Sequence, residues 1–161
     1  MVVLRAMQEN DFRRYLDAAV VDYATDKLKA GVWSKEEALE KARSEHRALL
    51  PQGLATPDHY LFNLYAEEEQ TEVGMLWFGI CEQGGQREAF VYDIAIDPKW
   101  RRMGYATQAF LALEQRVRQM GLDAIGLHVF GHNKGAFALY EKLGYVPTSM
   151  KMKKSLGDGN P

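Results

Sequence analysis

One cysteine, Cys81, stands in this chain of 161 residues. That excludes an intrachain disulfide and any metal centre built on a cysteine cluster, and no metal is expected. No window approaches the roughly 20 consecutive apolar residues of a membrane span. Met1-Val2-Val3-Leu4-Arg5 is too short an apolar run for a signal peptide, so the expected location is cytoplasmic, away from membranes. Lys and Arg number 20 against 22 Asp and Glu, a net charge of −2. A nucleic-acid surface wants a clustered basic excess, and none is expected here. Two phosphate signatures are also missing. A P-loop needs Gly-Lys-Ser/Thr, whereas Gly104 precedes Tyr105-Ala106, and the three glycines of a dinucleotide fingerprint are not present. There are no internal repeats. What remains, 47% hydrophobic and 26% charged, is an ordinary globular composition. It fits one domain over residues 1–154, followed by a tail over 155–161 with little reason to be ordered.

Hydrophobic periodicity orders the elements. Val2-Val3-Leu4-Arg5 reads as a first strand, and Phe12, Leu16, Ala19, Val20, Tyr23 and Leu28 recur at helical spacing between Glu9 and Ala30. Ser34 with Glu37 is a capping-box start for a second helix running to Leu50, before Pro51, Gly53 and Pro57 break the chain. His59–Tyr65, Glu72–Ile80 and Arg87–Ile96 follow as a three-stranded meander, its last turn made by Gly84-Gly85. A helix then carries Ala109, Phe110, Leu113, Val117 and Met120 on one face, and Gly121 ends it. Ala124–Phe130 is the next strand, Asn133–Leu143 the next helix, and Tyr145–Lys153 a final strand. Strand, helix and strand at this spacing imply a parallel pair joined by a crossover helix.

The chain turns on the stretch Asp93–Thr107. A strand ends near Ile96, because Pro98 cannot donate to a ladder. A short basic turn follows, and Gly104 opens the long helix. Helix N-termini leave unpaired N–H groups and a partial positive charge, so this end is suited to a phosphate, with Arg101 and Arg102 beside it. Gly104 alone is equally a device for a tight turn. A second constellation lies in Asn133–Tyr145. Asn133 is a natural N-cap, and Tyr140 shares a helical face with Ala136, Phe137 and Leu143, where packing alone would explain it.

Taken together, the two stretches closely resemble the GNAT superfamily of acyl-CoA-dependent N-acetyltransferases. Arg101, Gly104 and Ala106 match its Arg/Gln-x-x-Gly-x-Gly/Ala loop, and Asn133, Tyr140, Gly144 and Tyr145 match its later Asn, Tyr, Gly and aromatic positions. The resemblance covers nearly the whole chain. It implies a mixed α/β (α+β) fold, a mostly antiparallel sheet of about six or seven strands with a parallel pair at the cofactor cleft and about four flanking helices. It also implies acetyl-CoA as co-substrate. The pyrophosphate would lie on the turn of Arg101, Arg102, Met103, Gly104, Tyr105, Ala106 and Thr107, using backbone amides from Arg102 onward. The pantetheine arm would run along Ile94, Ala95 and Ile96, with Asn133 and Tyr140 on the cofactor side.

The implied reaction moves an acetyl group to a primary amine of a small molecule or peptide. Tyr140 takes the family's role of proton donor to the leaving thiolate, about 1.5 units or 2 kcal/mol uphill at ordinary pKa values. For the base, His128 stands where some related ribosomal-protein N-acetyltransferases carry a glutamate, although a histidine satisfied within the sheet is an equal reading. Asp93 is the runner-up, and a water chain is a third route. Phe90 occupies the position of the glutamate base used by another branch. Tyr23, Asp22, Trp33 and the Leu50–Tyr60 loop are the candidates for the acceptor side. The alternative function is a non-catalytic acyl-CoA-binding sensor on the same fold.

Overall fold

The computed structural model describes residues 1–157. Five strands form one sheet in chain order: β1 (Val2–Ala6), β2 (His59–Ala66), β3 (Thr71–Gln83), β4 (Gln86–Ile96) and β5 (Ile125–Leu127). The first four are antiparallel, and β5 pairs parallel to β4. Helices α1 (Glu9–Lys29) and α2 (Ala38–Leu49) precede the meander, while α3 (Tyr105–Gln119) and α4 (Lys134–Lys142) flank β5 in sequence.

The core has two halves, one on each face of the sheet. Tyr105, Ala109, Phe110, Leu113 and Val117 form the apolar stripe of α3, and they cover Leu64, Val73, Leu76, Phe78, Ala89 and Val91. On the opposite face Phe12 of α1 and Leu50 pack with Leu61, Met75 and Trp77. Small residues, Ala24 of α1 against Ala38 and Ala42 of α2, bring those two helices close together.

The sheet is shorter than the expected six or seven strands. Residues 145–153 form no strand, and Val146, Met150 and Met152 stay 76%, 73% and 86% exposed. Pro147 lacks a ladder donor there, and the Met/Lys alternation buries no face. Residues 155–157 are exposed without regular structure, and 158–161 of the expected tail lie outside the described residues. Helix α2 begins at Ala38, four residues after Ser34, where burial of Ala38 starts. Half of the expected box is present all the same, since the Ser34 N–H donates to Glu37 Oε1 at 3.1 Å. Strand β5 spans three residues against the seven expected, for a reason that lies in β4.

Candidate active site

A bulge in β4 makes the cleft. Trp77 of β3 pairs with Asp93 and Phe78 with Val91, so Tyr92 is an extra residue without a partner. Before it, Ala89 and Val91 face the α3 side; after it, Ile94 and Ile96 do so. Both Tyr92 and Asp93 therefore turn toward α1 and α2, which strict alternation would forbid. The ring of Tyr92 stacks on Trp77 with centroids 4.8 Å apart. Gly79 leaves room for it, because a Cβ there would lie 2.8 Å from that ring. The β4–β5 ladder ends with Val91 and Leu127, immediately before the bulge. Beyond that point the strands part around a cavity of about 410 Å³, walled by α1, α2, β4, the residues after β5, and Asn133 and Tyr140.

The edge of β4 left free by this parting carries Ile94, Ala95 and Ile96, which pair only with β3 on their other side. Arg101 is tied to the end of that strand, its Nε donating to the Ile96 carbonyl at 2.9 Å. The chain then passes through two left-handed residues, Arg102 at φ 64° and Gly104 at φ 85°, before α3 begins. Among the described residues, the N–H groups of Arg102 to Thr107 donate to no other backbone group, and the first bond of the helix is Gln108 N–H to Gly104 O. A row of free amides at a helix N-terminus suits a diphosphate. The space before it is open, since a Cβ on Gly104 would meet nothing within 4 Å. The residues present therefore fit the pyrophosphate of an acyl-CoA.

Tyr140 reaches the cavity from α4, its ring edge-on to Phe110 at 5.5 Å and to Tyr145 at 6.0 Å. Burial pushes its phenol up, and the nearby carboxylate of Asp93 adds to this. Asp93 accepts a 2.7 Å hydrogen bond from the Tyr15 hydroxyl of α1. Burial also raises the Asp93 carboxyl, although Tyr15 and His46 pull the other way. His128 follows the last residue of β5 on the exposed rim, its ring edge-on to Phe130 at 4.8 Å. Partial desolvation and then the charge of Lys27 hold its imidazole below the ordinary value. Asn133 caps α4, its Oδ1 accepting from Ala136 N–H at 3.2 Å, and it also lines the cavity. Phe90 lies in the same wall.

On the acceptor side Tyr23 lines the cavity, whereas Asp22, Trp33 and the Leu50–Tyr60 loop are not among its lining residues. Sequence reasoning missed Tyr15, Lys27, Glu45, His46, Trp77 and Tyr92. Tyr15 carried only the signal of helical packing, and Tyr92 needed knowledge of the bulge. Among the described residues, no three His, Cys, Asp or Glu side chains are grouped to hold a metal ion.

A parted parallel pair, a free-amide turn opening the crossover helix, and Tyr140 at the cavity make up the candidate site. Residues 25–145 match the Acetyltransferase (GNAT) family. The chain is 41% identical over 155 residues to the uncharacterized N-acetyltransferase YycN of Bacillus subtilis (strain 168), covering 96% of this chain and 99% of that protein. It is 32% identical to YdgE of the same organism, also an uncharacterized N-acetyltransferase, over 95% of this chain and 97% of the relative. The crystal structure of YycN superposes with a TM-score of 0.91 at 40% identity, covering 98% of this chain and all (100%) of the other. The chain belongs to the GNAT acetyltransferase family.

Proposed function

We propose that the protein transfers an acetyl group from acetyl-CoA to a primary amine, by direct attack of the amine on the thioester. The observation that carries this reading is Tyr140, which lines the cavity where β4 and β5 part and has no protein hydrogen-bond partner among the described residues. A proton donor is wanted at that place. When bound, the thioester supplies an electrophilic carbonyl carbon and a leaving thiolate whose ordinary pKa is about 8.5.

The chain's own groups then have distinct tasks. The amides of Arg102 to Thr107 hold the diphosphate, and the free edge at Ile94–Ile96 aligns the arm that follows it. Tyr140 is protonated at neutral pH as any phenol of pKa about 10 is, burial and Asp93 raise it further, and it gives its proton to the departing sulfur. The same shift makes it a weaker acid, so a hydrogen bond to the developing charge comes before full transfer. His128, held neutral at pH 7, takes the amine's proton. That proton becomes far more acidic once the N–C bond forms, so an imidazole suffices. Asp93 is the alternative acceptor of this proton.

The test is thiol release from acetyl-CoA across a panel of amines, with wild type and Tyr140→Phe run side by side. The expected result is amine-dependent release in the wild type and a loss of roughly 10²-fold or more in kcat for the variant. If the wild type binds coenzyme A tightly and no amine stimulates release, the enzyme reading fails and an acyl-CoA-binding sensor replaces it.

A further inference from the structure

Fixed charge is divided unevenly over the wall of the cavity. Asp26, Glu45 and Asp93 line it, against a single lysine, Lys27. Tyr15 donates to Asp93 at 2.7 Å and Tyr23 donates to Glu45 at 2.6 Å, but a neutral phenol leaves a carboxylate its charge. Asp26 precedes Lys27 in the chain and lies 2.9 Å from His132 Nε2, so cations stand close to it. Glu45 is placed differently. It is exposed on α2 and forms no ion pair among the described residues. Lys41, one turn before it, pairs with Glu37 at 3.1 Å. Beyond the lining, Asp22 adds further negative charge, assisting burial in raising the Asp93 carboxyl. Even where Asp93 keeps a proton, Asp26 and Glu45 outnumber Lys27.

The reacting amine does not supply the missing cation, because it must be neutral when it attacks the thioester. Glu45 also stands apart from the reacting centre. The rings of Tyr23, His46 and Trp77 follow one another from Glu45 to β4, with centroids 5.5 and 5.9 Å apart, and Trp77 is the register partner of Asp93. A carboxylate, an aromatic wall and a second carboxylate complement an alkyl chain that is basic at both ends. The wall already accommodates one ammonium, since Lys27 Nζ lies 5.4 and 5.1 Å from the ring centroids of Tyr23 and Trp33. We infer that the acceptor is a diamine, whose second ammonium pairs with Glu45 beside Tyr23 while the first amine faces Tyr140 and Asp93. The inference rests on the amine-acetylation reading and adds a second cationic group to the acceptor. With an ordinary pKa of about 10.4, that group keeps its charge throughout the reaction. Both ends must fit a cavity of about 410 Å³, at the small end of ligand pockets, which favours a short aliphatic diamine.

Matched pairs test it: butane-1,4-diamine against butylamine and pentane-1,5-diamine against pentylamine, with 4-aminobutan-1-ol as the uncharged polar control. In the wild type at least one diamine should have a kcat/KM per amino group about fivefold higher or more, an exposed carboxylate and an aromatic face each contributing modestly. Glu45→Gln, which keeps an acceptor for Tyr23, should shrink that ratio toward one through the acceptor KM. Glu45→Lys should lower the ratio further, Asp26→Asn should change it less, and the KM for acetyl-CoA should not move in any of them. Turnover of the monoamine reports in each variant that the fold and the reacting centre are intact. Equal use of diamine and monoamine, an alcohol as good as the diamine, an unchanged ratio in Glu45→Gln, or a larger effect from Asp26→Asn overturns the inference. Should no amine turn over, the acetylation reading fails by itself. Calorimetric titration of the same pairs into the coenzyme A complex then decides the matter, and a diamine bound no tighter than its monoamine, or independently of Glu45, overturns the inference.

Discussion

Gly104 offers the sharpest test of the anion cradle, because its conformation and its surroundings predict different things. Its φ of 85° is in the left-handed region, where a residue with a Cβ pays about 1–2 kcal/mol. A Cβ there would meet nothing within 4 Å, so no clash adds to the backbone term. Gly104→Ala should therefore cost about 1 kcal/mol or slightly more, a fall of roughly 2–4 °C in Tm for a chain of this size. Gly104→Asn should cost less, since asparagine tolerates this region, and Gly104→Val more, because β-branching does not. Urea unfolding of the three variants checks the order Asn, Ala, Val. Three midpoints equal to that of wild type would refute the left-handed assignment. Coenzyme A binding reads the second property. The open space before the free amides is where the Cβ would project, so Gly104→Val should lose roughly tenfold or more in affinity while still folded. A folded Val variant that binds coenzyme A as wild type does would remove the diphosphate from this turn.

Three further outcomes follow from the cavity. The raised carboxyl of Asp93 means that the folded chain keeps a proton the unfolded chain has already released, from the ordinary carboxylate value up to the raised one. Stability should fall as pH rises through that window; Asp93→Asn, which keeps an acceptor for Tyr15, should flatten the fall in urea midpoints, and an unchanged slope would be the contrary result. His128 must be neutral to accept a proton, so the acid limb of kcat/KM should have its midpoint below about 6.5. Lys27→Met should move that limb upward and His128→Gln should abolish it, whereas a limb surviving in His128→Gln would transfer the base role to Asp93. Gly79→Ala would place a methyl 2.8 Å from the Tyr92 ring and 3.1 Å from the Asp58 carbonyl. Overpacking of this kind costs about 1–3 kcal/mol, and differential unfolding should show it together with a raised acceptor KM.

Much of the architecture was legible because it rests on local signals. The apolar stripe of α3, the Gly84-Gly85 turn and the glycine opening α3 all use short-range spacing, and each stands where expected. Asn133 as the cap of α4 was legible for the same reason, whereas the weight placed on Tyr140 came from the resemblance to the GNAT family. Non-local causes were not. Strand β5 contains apolar residues enough for seven positions, but its length is set by where β4 stops offering a straight edge. The Met150/Met152 alternation reads as a strand, yet it has no face to cover, and alternation without a surface makes no ladder. The partners of Asp93 were hidden likewise, since Tyr15 lies 78 residues away in sequence.

The bulge at Tyr92 connects these hidden features. One inserted residue ends the β4–β5 ladder after Val91, and so opens the cavity and frees the edge of Ile94–Ile96. Across the insertion Tyr92 and Asp93 share the α1 face, Asp93 within reach of Tyr15, while Ile94 and Ile96 lie in the core under α3. The free edge at Ile94–Ile96 and the opening beside it are thus set by a single backbone irregularity. Deleting Tyr92 makes Trp77–Asp93 and Phe78–Val91 consecutive pairs and leaves Asp93 on the α1 face, so it should let the β4–β5 ladder continue and abolish coenzyme A binding in calorimetric titration, whereas binding equal to wild type would refute the role given to the bulge.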